Sequence, residues 1–67
     1  MSVVKIIELI GISDKSWEDA VQHAVDQAAK TIRGISGVDV LSLKSEVKDN
    51  KIVNYKANVK IAFIVER

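Results

Sequence analysis

The sequence predicts an α+β fold of β-α-β-β order, with a three-stranded antiparallel sheet packed on one helix. Two stretches dense in β-branched residues lie near the ends of the chain, and an amphipathic helical pattern follows the first of them. A helix that returns along the first strand makes the second strand parallel to it, and a hairpin makes the third antiparallel to the second. The third strand therefore belongs in the centre, in the order 1-3-2.

The first strand is predicted over residues 3–10, and Gly11 is expected to mark its exit. Alternation along it places Val3, Ile7 and Leu9 on one side and Val4, Ile6 and Ile10 on the other. An edge strand with two apolar faces favours aggregation unless a neighbouring subunit covers it. We therefore expect the chain to work as one subunit of a symmetric homo-oligomer.

The helix is predicted to start near Trp17 and to end at Arg33 and Gly34. Ser16, with Asp19 three residues later, resembles a capping box. Apolar residues recur at the i, i+3, i+4 spacing of an amphipathic helix, at Trp17, Ala20, Val21, Ala24, Val25, Ala28, Ala29 and Ile32. Because most of these side chains are small, we expect tight docking on the sheet rather than a pocket beneath the helix.

The second strand is predicted over residues 38–47 and a long third strand over residues 52–66, joined by a turn at Asp49 and Asn50. Alternate residues of the third strand, from Val53 to Val65, share an apolar face that is expected to meet the helix.

The register of this hairpin has two solutions. A two-residue loop would set Leu41 and Leu43 beside the polar face of the third strand. An odd-length loop or a bulge would set them with Tyr55 and Val59. We predict the odd loop or the bulge.

Length and composition support one domain over residues 1–67 whose core is marginal, because a chain this short buries only about 60% of its unfolded surface. It has no cysteine and one histidine, so oligomerisation remains as the source of extra stability. The absence of cysteine suits a reducing compartment, and a cytoplasmic location is predicted. A net charge of +1 without a basic patch argues against nucleic acid, and no apolar run approaches the roughly 20 residues of a membrane span.

The residues that carry chemistry form no visible catalytic constellation, so no enzyme activity is predicted. His23 is interpreted as a satisfied surface histidine, and the acids Glu18, Asp19 and Asp26 as a solvated helix face. Gly34 and Gly37 are interpreted as a helix cap and a turn rather than a phosphate cradle. Trp17 lies on the apolar side of the helix, which favours packing over stacking on a planar ligand.

Four short motifs together resemble the dodecin family over essentially the whole chain. They are Ile10-Gly11-Ile12-Ser13, the helix start Ser16-Trp17-Glu18-Asp19-Ala20, the helix end Thr31-Ile32-Arg33, and Tyr55 with Val59-Lys60-Ile61-Ala62-Phe63. The resemblance implies a hollow homododecamer that stores or buffers a small-molecule ligand. In flavin-binding members, paired flavins lie between subunits.

The resemblance also implies where a flavin, FMN or riboflavin, would bind. Flavin-binding members stack the ring on a tryptophan at the start of the second strand and bind its edge with a glutamine after the tyrosine of the third strand. Those positions are Gly37 and Lys56 here, so weak flavin binding is expected. The Ser16-Trp17-Glu18 start is similar to a branch without the tryptophan, for which calcium binding has been proposed. The alternative is therefore a flavin-free structural or calcium-binding cage, with no ligand set assigned.

Overall fold

The computed structural model describes residues 3–65. Its elements are β1 (Val3–Ser13), α1 (Trp17–Ala29), β2 (Ile35–Lys44), β3 (Val47–Lys48), β4 (Lys51–Ile52) and β5 (Tyr55–Val65). The long strands form an antiparallel sheet in the order β1-β5-β2, which confirms the predicted order 1-3-2. Strands β3 and β4 form a separate two-stranded ribbon. The predicted end of the third strand at Glu66 lies outside the described residues.

Small side chains form the core between α1 and the central strand. Ala20, Ala24 and Ala28 of α1 and Ala57, Val59 and Ile61 of β5 are each at most 5% exposed. The docking is close enough that a Cβ added at Gly11 would lie 1.9 Å from the carbonyl oxygen of Ala20. The predicted tight docking is therefore confirmed, because any larger residue at position 11 would collide with the helix backbone.

The predicted exit of the first strand at Gly11 is wrong. β1 continues to Ser13, and Gly11 pairs with Ala57 inside the sheet. The glycine is required by the approach of the helix rather than by a turn.

The helix begins at Trp17 as predicted, and Ser16 is its N-cap, with Oγ accepting a hydrogen bond from the amide of Asp19 at 3.0 Å. The helix ends earlier than predicted, at Ala29. The amides of Thr31 and Ile32 both donate to the carbonyl of Ala28, which tightens the final turn. The chain then reverses through Gly34, whose positive φ of 77° suits glycine.

Two bulges interrupt β2, one between Ile35 and Gly37 and one between Val40 and Ser42. β2 begins at Ile35, three residues before the predicted start. Gly37 lies inside the strand opposite Ala62, so the interpretation of this glycine as a turn residue is wrong.

The hairpin combines a two-residue turn with a shifted register. Asp49 and Asn50 both have positive φ, 52° and 63°, as a type I′ turn requires. Leu43 nevertheless lies opposite Ala57, on the face of Tyr55 and Val59, which confirms the predicted bulge for this residue. Leu41 is the extra residue of the second bulge and has no register partner on the third long strand, so its predicted place beside Tyr55 and Val59 stays a prediction.

The sheet face opposite α1, here called the open face, carries alternating residues of each long strand: Val4, Ile6, Glu8, Ile10 and Ile12 of β1, Lys56, Asn58, Lys60, Ala62 and Ile64 of β5, and Gly37, Asp39, Ser42 and Lys44 of β2. Its apolar residues on β1, here called the β1 stripe, are more than half exposed: Val4, Ile6, Ile10 and Ile12. Among residues 3–65, no helix is long and apolar enough to cross a membrane.

Candidate functional site

Gly37 lies in a shallow concavity of the open face. The concavity is lined by Ile6, Gly37, Val38, Asp39, Lys60 and Ala62. A Cβ added at Gly37 would meet no atom within 4 Å, so the backbone here leaves free space above the sheet. The rim pairs a cation with an anion, because Lys60 lies opposite Asp39 in the register. The surface can receive a ligand ring, but its lining contains no aromatic side chain on which a ring could stack.

Lys56 is held at the other end of the open face by Glu46, which lies between β2 and β3. The Lys56 ammonium nitrogen is 3.1 Å from Glu46 Oε1. Asn54 Nδ2 donates to the same oxygen at 2.8 Å, and the Glu46 amide donates to Asn54 Oδ1 at 3.1 Å. The hydrogen bond from Asn54, followed by the hydrogen bond and charge of Lys56, holds the pKa of Glu46 below its ordinary value of 4.5.

This contact changes the chemistry available where flavin-binding members are expected to have a glutamine. A glutamine amide both donates and accepts hydrogen bonds, whereas a lysine ammonium only donates. One side of the Lys56 ammonium is already occupied by Glu46. The residues at positions 37 and 56 therefore do not reproduce the flavin contacts that the resemblance implies.

The two positions also lie far apart within one chain. Gly37 lies opposite Ala62, and Lys56 is six residues away from Ala62 along β5. At about 3.3 Å per residue the separation is roughly 20 Å, too long for one small ring to contact both. A ligand that uses both positions must lie between two copies of the chain.

Trp17 lies on the opposite side of the sheet and has a packing role. Its ring meets Tyr55 edge to face, with ring centroids 5.0 Å apart and an interplanar angle of 80°. Its Nε1 donates to the carbonyl of Lys44 at 3.1 Å. Both contacts join the start of α1 to the strands beneath it. The prediction that Trp17 packs is confirmed, and its ring lies away from Gly37.

Ser13, Asp19 and His23 form a hydrogen-bonded chain at the helix start. Ser13 Oγ, nearly buried, donates to Asp19 Oδ2 at 2.6 Å, and His23 Nε2 lies 3.2 Å from the same oxygen. His23 Nδ1 donates to the carbonyl of Ile12 at 2.9 Å. The carboxylate stands between the hydroxyl and the imidazole, so the serine hydroxyl donates to Asp19 and does not reach the imidazole. A nucleophilic triad needs the base in the middle.

The acids on the helix behave differently from one another. Glu18 and Asp26 are exposed, as the predicted solvated face requires, whereas Asp19 is half buried by its contact with Ser13. Within residues 3–65, no three His, Asp or Glu side chains converge closely enough to hold a metal ion. Calcium prefers six to eight oxygen ligands, so the described residues of one chain do not fit it.

Sequence reasoning missed Glu46 and Asn54. They are eight residues apart, and continuing the register of Lys44 with Lys56 by two residues places them opposite each other. The only local signal was the polar Asn54 next to Tyr55 at the start of an otherwise apolar pattern. Finding the pair required the register shift between Lys44 and Val47, which no residue spacing specifies.

Fold and surface together define a class of protein: a small β-α-β-β subunit with one sheet face closed by its own helix and the other free for a ligand or further subunits. The dodecin family model matches residues 3–66, and the chain belongs to the dodecin family.

Two curated relatives align over nearly the whole chain. A calcium dodecin from Mycobacterium tuberculosis is 32% identical over 63 residues, which cover 94% of this chain and 89% of that protein. A dodecin from Thermus thermophilus is 28% identical over 64 residues, which cover 96% of this chain and 93% of that protein.

Solved structures agree with this assignment. A single-residue variant of the T. thermophilus dodecin superposes with a TM-score of 0.94 at 27% identity and full coverage of both chains. The M. tuberculosis calcium dodecin superposes with a TM-score of 0.83 at 28% identity, covering 96% of this chain and 91% of that one.

Proposed function

We propose that the chain assembles into a cytoplasmic homododecamer that stores or buffers a small ligand and catalyses no reaction. The observation that carries this proposal is the family match over residues 3–66. The exposed β1 stripe supports assembly, because an edge strand with apolar side chains on its open face needs a cover. The mass of the protein in solution tests the proposed assembly, and a folded monomer at micromolar concentration would contradict it.

Flavin, as FMN or riboflavin, is the first ligand class, and we expect its binding to be weak. Gly37 provides space but no stacking surface, and a stacked aromatic contributes about 0.5–1.5 kcal/mol beyond area burial. Titrating purified protein into FMN or riboflavin and following the quenching of flavin fluorescence measures the affinity. Submicromolar binding by the unmodified chain would show that the ring is held by contacts other than position 37.

A flavin-free cage that binds calcium is the second candidate, favoured by the 32% identity to a protein named calcium dodecin. Carboxylates from more than one subunit would supply its oxygen ligands, since no three His, Asp or Glu side chains converge among the described residues of one chain. Calorimetry with calcium, and with magnesium as the matched control, distinguishes this from flavin storage. Saturable heat with calcium alone supports the second candidate, and absorbance in the flavin band of the protein as purified supports the first.

A further inference from the structure

The ribbon of β3 and β4 has a tight turn at its tip and several hydrogen bonds at its base. Its turn residues Asp49 and Asn50 hold the conformation that a tight hairpin needs. At its base the Val53 amide donates to the Glu46 carbonyl at 2.9 Å, beside the bonds between Glu46, Asn54 and Lys56. The ribbon therefore projects from the sheet in a defined direction and is pre-organised for contact.

The ribbon is nevertheless incompletely buried in the isolated chain. Val47 and Ile52 face each other across it and are 61% and 51% exposed. A two-stranded hairpin is at best marginally stable in water without a further layer against it. An exposed hairpin with a Val–Ile pair points to a contact with another molecule.

Charge identifies the partner. The next register pair of the ribbon is Lys48 with Lys51, and neither lysine forms a salt bridge with any residue between 3 and 65. The acids Asp14, Glu18 and Asp26, here called the acidic stripe, also form no salt bridge within that part of the chain. Of these three acids, only Glu18 lines the shallow depression at the helix start, together with Lys15, Ser16, Asp19 and Gln22.

These two surfaces are complementary but do not meet in one chain. The Trp17 contact places the end of β2, and so the base of the ribbon, at the helix start, but no salt bridge joins the ribbon lysines to the acidic stripe within residues 3–65. The distance from Lys44 to the turn is five residues, about 16 Å of extended chain. Every copy of the chain carries both charged surfaces, so the ribbon of one copy has a surface of opposite charge available on another.

We propose that the ribbon of one copy docks on the acidic stripe of a second copy, with Lys48 and Lys51 facing Glu18 and Asp14. This inference rests on the proposed assembly and names one of its contacts. Partly buried opposite charges across such a contact favour the correct pairing of subunits and lose strength as salt rises.

The test is a charge-reversal cycle read by the mass of the assembly during dilution. The variant Lys48→Glu with Lys51→Glu should raise the subunit concentration at half dissociation at least about tenfold. The variant Asp14→Lys with Glu18→Lys should do the same. Combining all four changes should restore assembly to within about threefold of the unmodified chain, because opposite charges again face each other.

The matched control is Lys30→Glu with Arg33→Glu, which makes the same change in net charge at the far end of the helix. It should leave the dissociation midpoint within about threefold, and far-UV circular dichroism verifies that each variant is folded. If ribbon variants assemble like the unmodified chain, or the fourfold variant fails to recover, the docking proposal is wrong while the assembly proposal stands. If the unmodified chain is itself monomeric, both proposals fail.

Discussion

The helix-covered face and the open face of the sheet belong to the same three strands but differ in how far their side chains are exposed to solvent. On the covered face, Ala57, Val59 and Ile61 of β5 have no exposed surface. On the open face, the same strand presents Lys56 and Lys60, and the neighbouring β1 stripe is more than half exposed. Burial in this molecule is therefore decided by what lies above each face, not by the strands themselves.

This difference in covering explains why two glycines of the same sheet have different roles. Gly11 on the covered face is required because α1 touches its Cα, whereas Gly37 on the open face has free space above it. The covered face is complete within one chain. The open face, under the proposed assembly, is completed by other copies and by a ligand.

The largest expected effect comes from breaking this contrast at Gly11. Gly11→Ala should destabilise the fold by about 3 kcal/mol or more, because its Cβ would overlap the Ala20 carbonyl. Urea unfolding at one fixed subunit concentration measures the change. Gly37→Ala is the matched control and should stay within about 0.5 kcal/mol. Equal effects at the two glycines would contradict the contrast between the faces.

Trp17 tests the edge of the covered face. Trp17→Ala should cost about 2 kcal/mol, less than for a fully buried ring because the side chain is 37% exposed. Trp17→Phe retains most contact with Tyr55 but loses the bond to the Lys44 carbonyl, so about 1 kcal/mol is expected. Urea unfolding of both variants measures the two losses of stability, and a loss about twice as large for alanine as for phenylalanine supports a packing role for Trp17. Reduced flavin binding without loss of stability would instead indicate a ligand contact.

Gly37→Trp tests whether the open face lacks only a stacking side chain for flavin. Adding the aromatic should raise flavin affinity about twofold to tenfold, because stacking contributes about 0.5–1.5 kcal/mol and the backbone there leaves space for a side chain. Fluorescence titration with FMN measures the gain. Gly37→Leu controls for added apolar area, and an equal gain with leucine would show that stacking is not the cause.

The smallest effect concerns Glu46 at the base of the ribbon. Its lowered pKa means that the contact with Asn54 and Lys56 is fully present above pH 4.5 and is lost as pH falls through the lowered value. An NMR titration of the carboxyl should give a midpoint below 4.5, and Asn54→Ala should move it upward. Asn50→Ala, at the turn, should leave it unchanged. A midpoint at or above 4.5 in the unmodified chain would show that the contact is not formed in solution.

The sequence predicts the elements and their order because period-two and period-3.6 patterns are strong in this chain. The cap at Ser16 and the start at Trp17 are local signals, and both are confirmed. The run of β1 through Gly11 was missed because it depends on the approach of α1 and on pairing with β5. The early helix end at Ala29 was missed because the last turn tightens locally, with the amides of Thr31 and Ile32 both donating to the carbonyl of Ala28.

The candidate site was harder to predict for the same reason. The resemblance marked positions 37 and 56, but the partner of Lys56 was not visible, because Glu46 comes beside it only in the register of the long strands, which differs by one residue from that of the turn. Residue spacing specifies which side of a strand a residue occupies. It does not specify what another copy of the chain places above that side.

The mass of the assembly shows whether other copies of the chain complete the open face. Light scattering on the unmodified protein at micromolar concentration should give about 89 kDa, twelve times the 7.4 kDa of one chain. A mass of 7.4 kDa with the circular dichroism of a folded protein would contradict the claim, because the β1 stripe would then be stable in water without a partner.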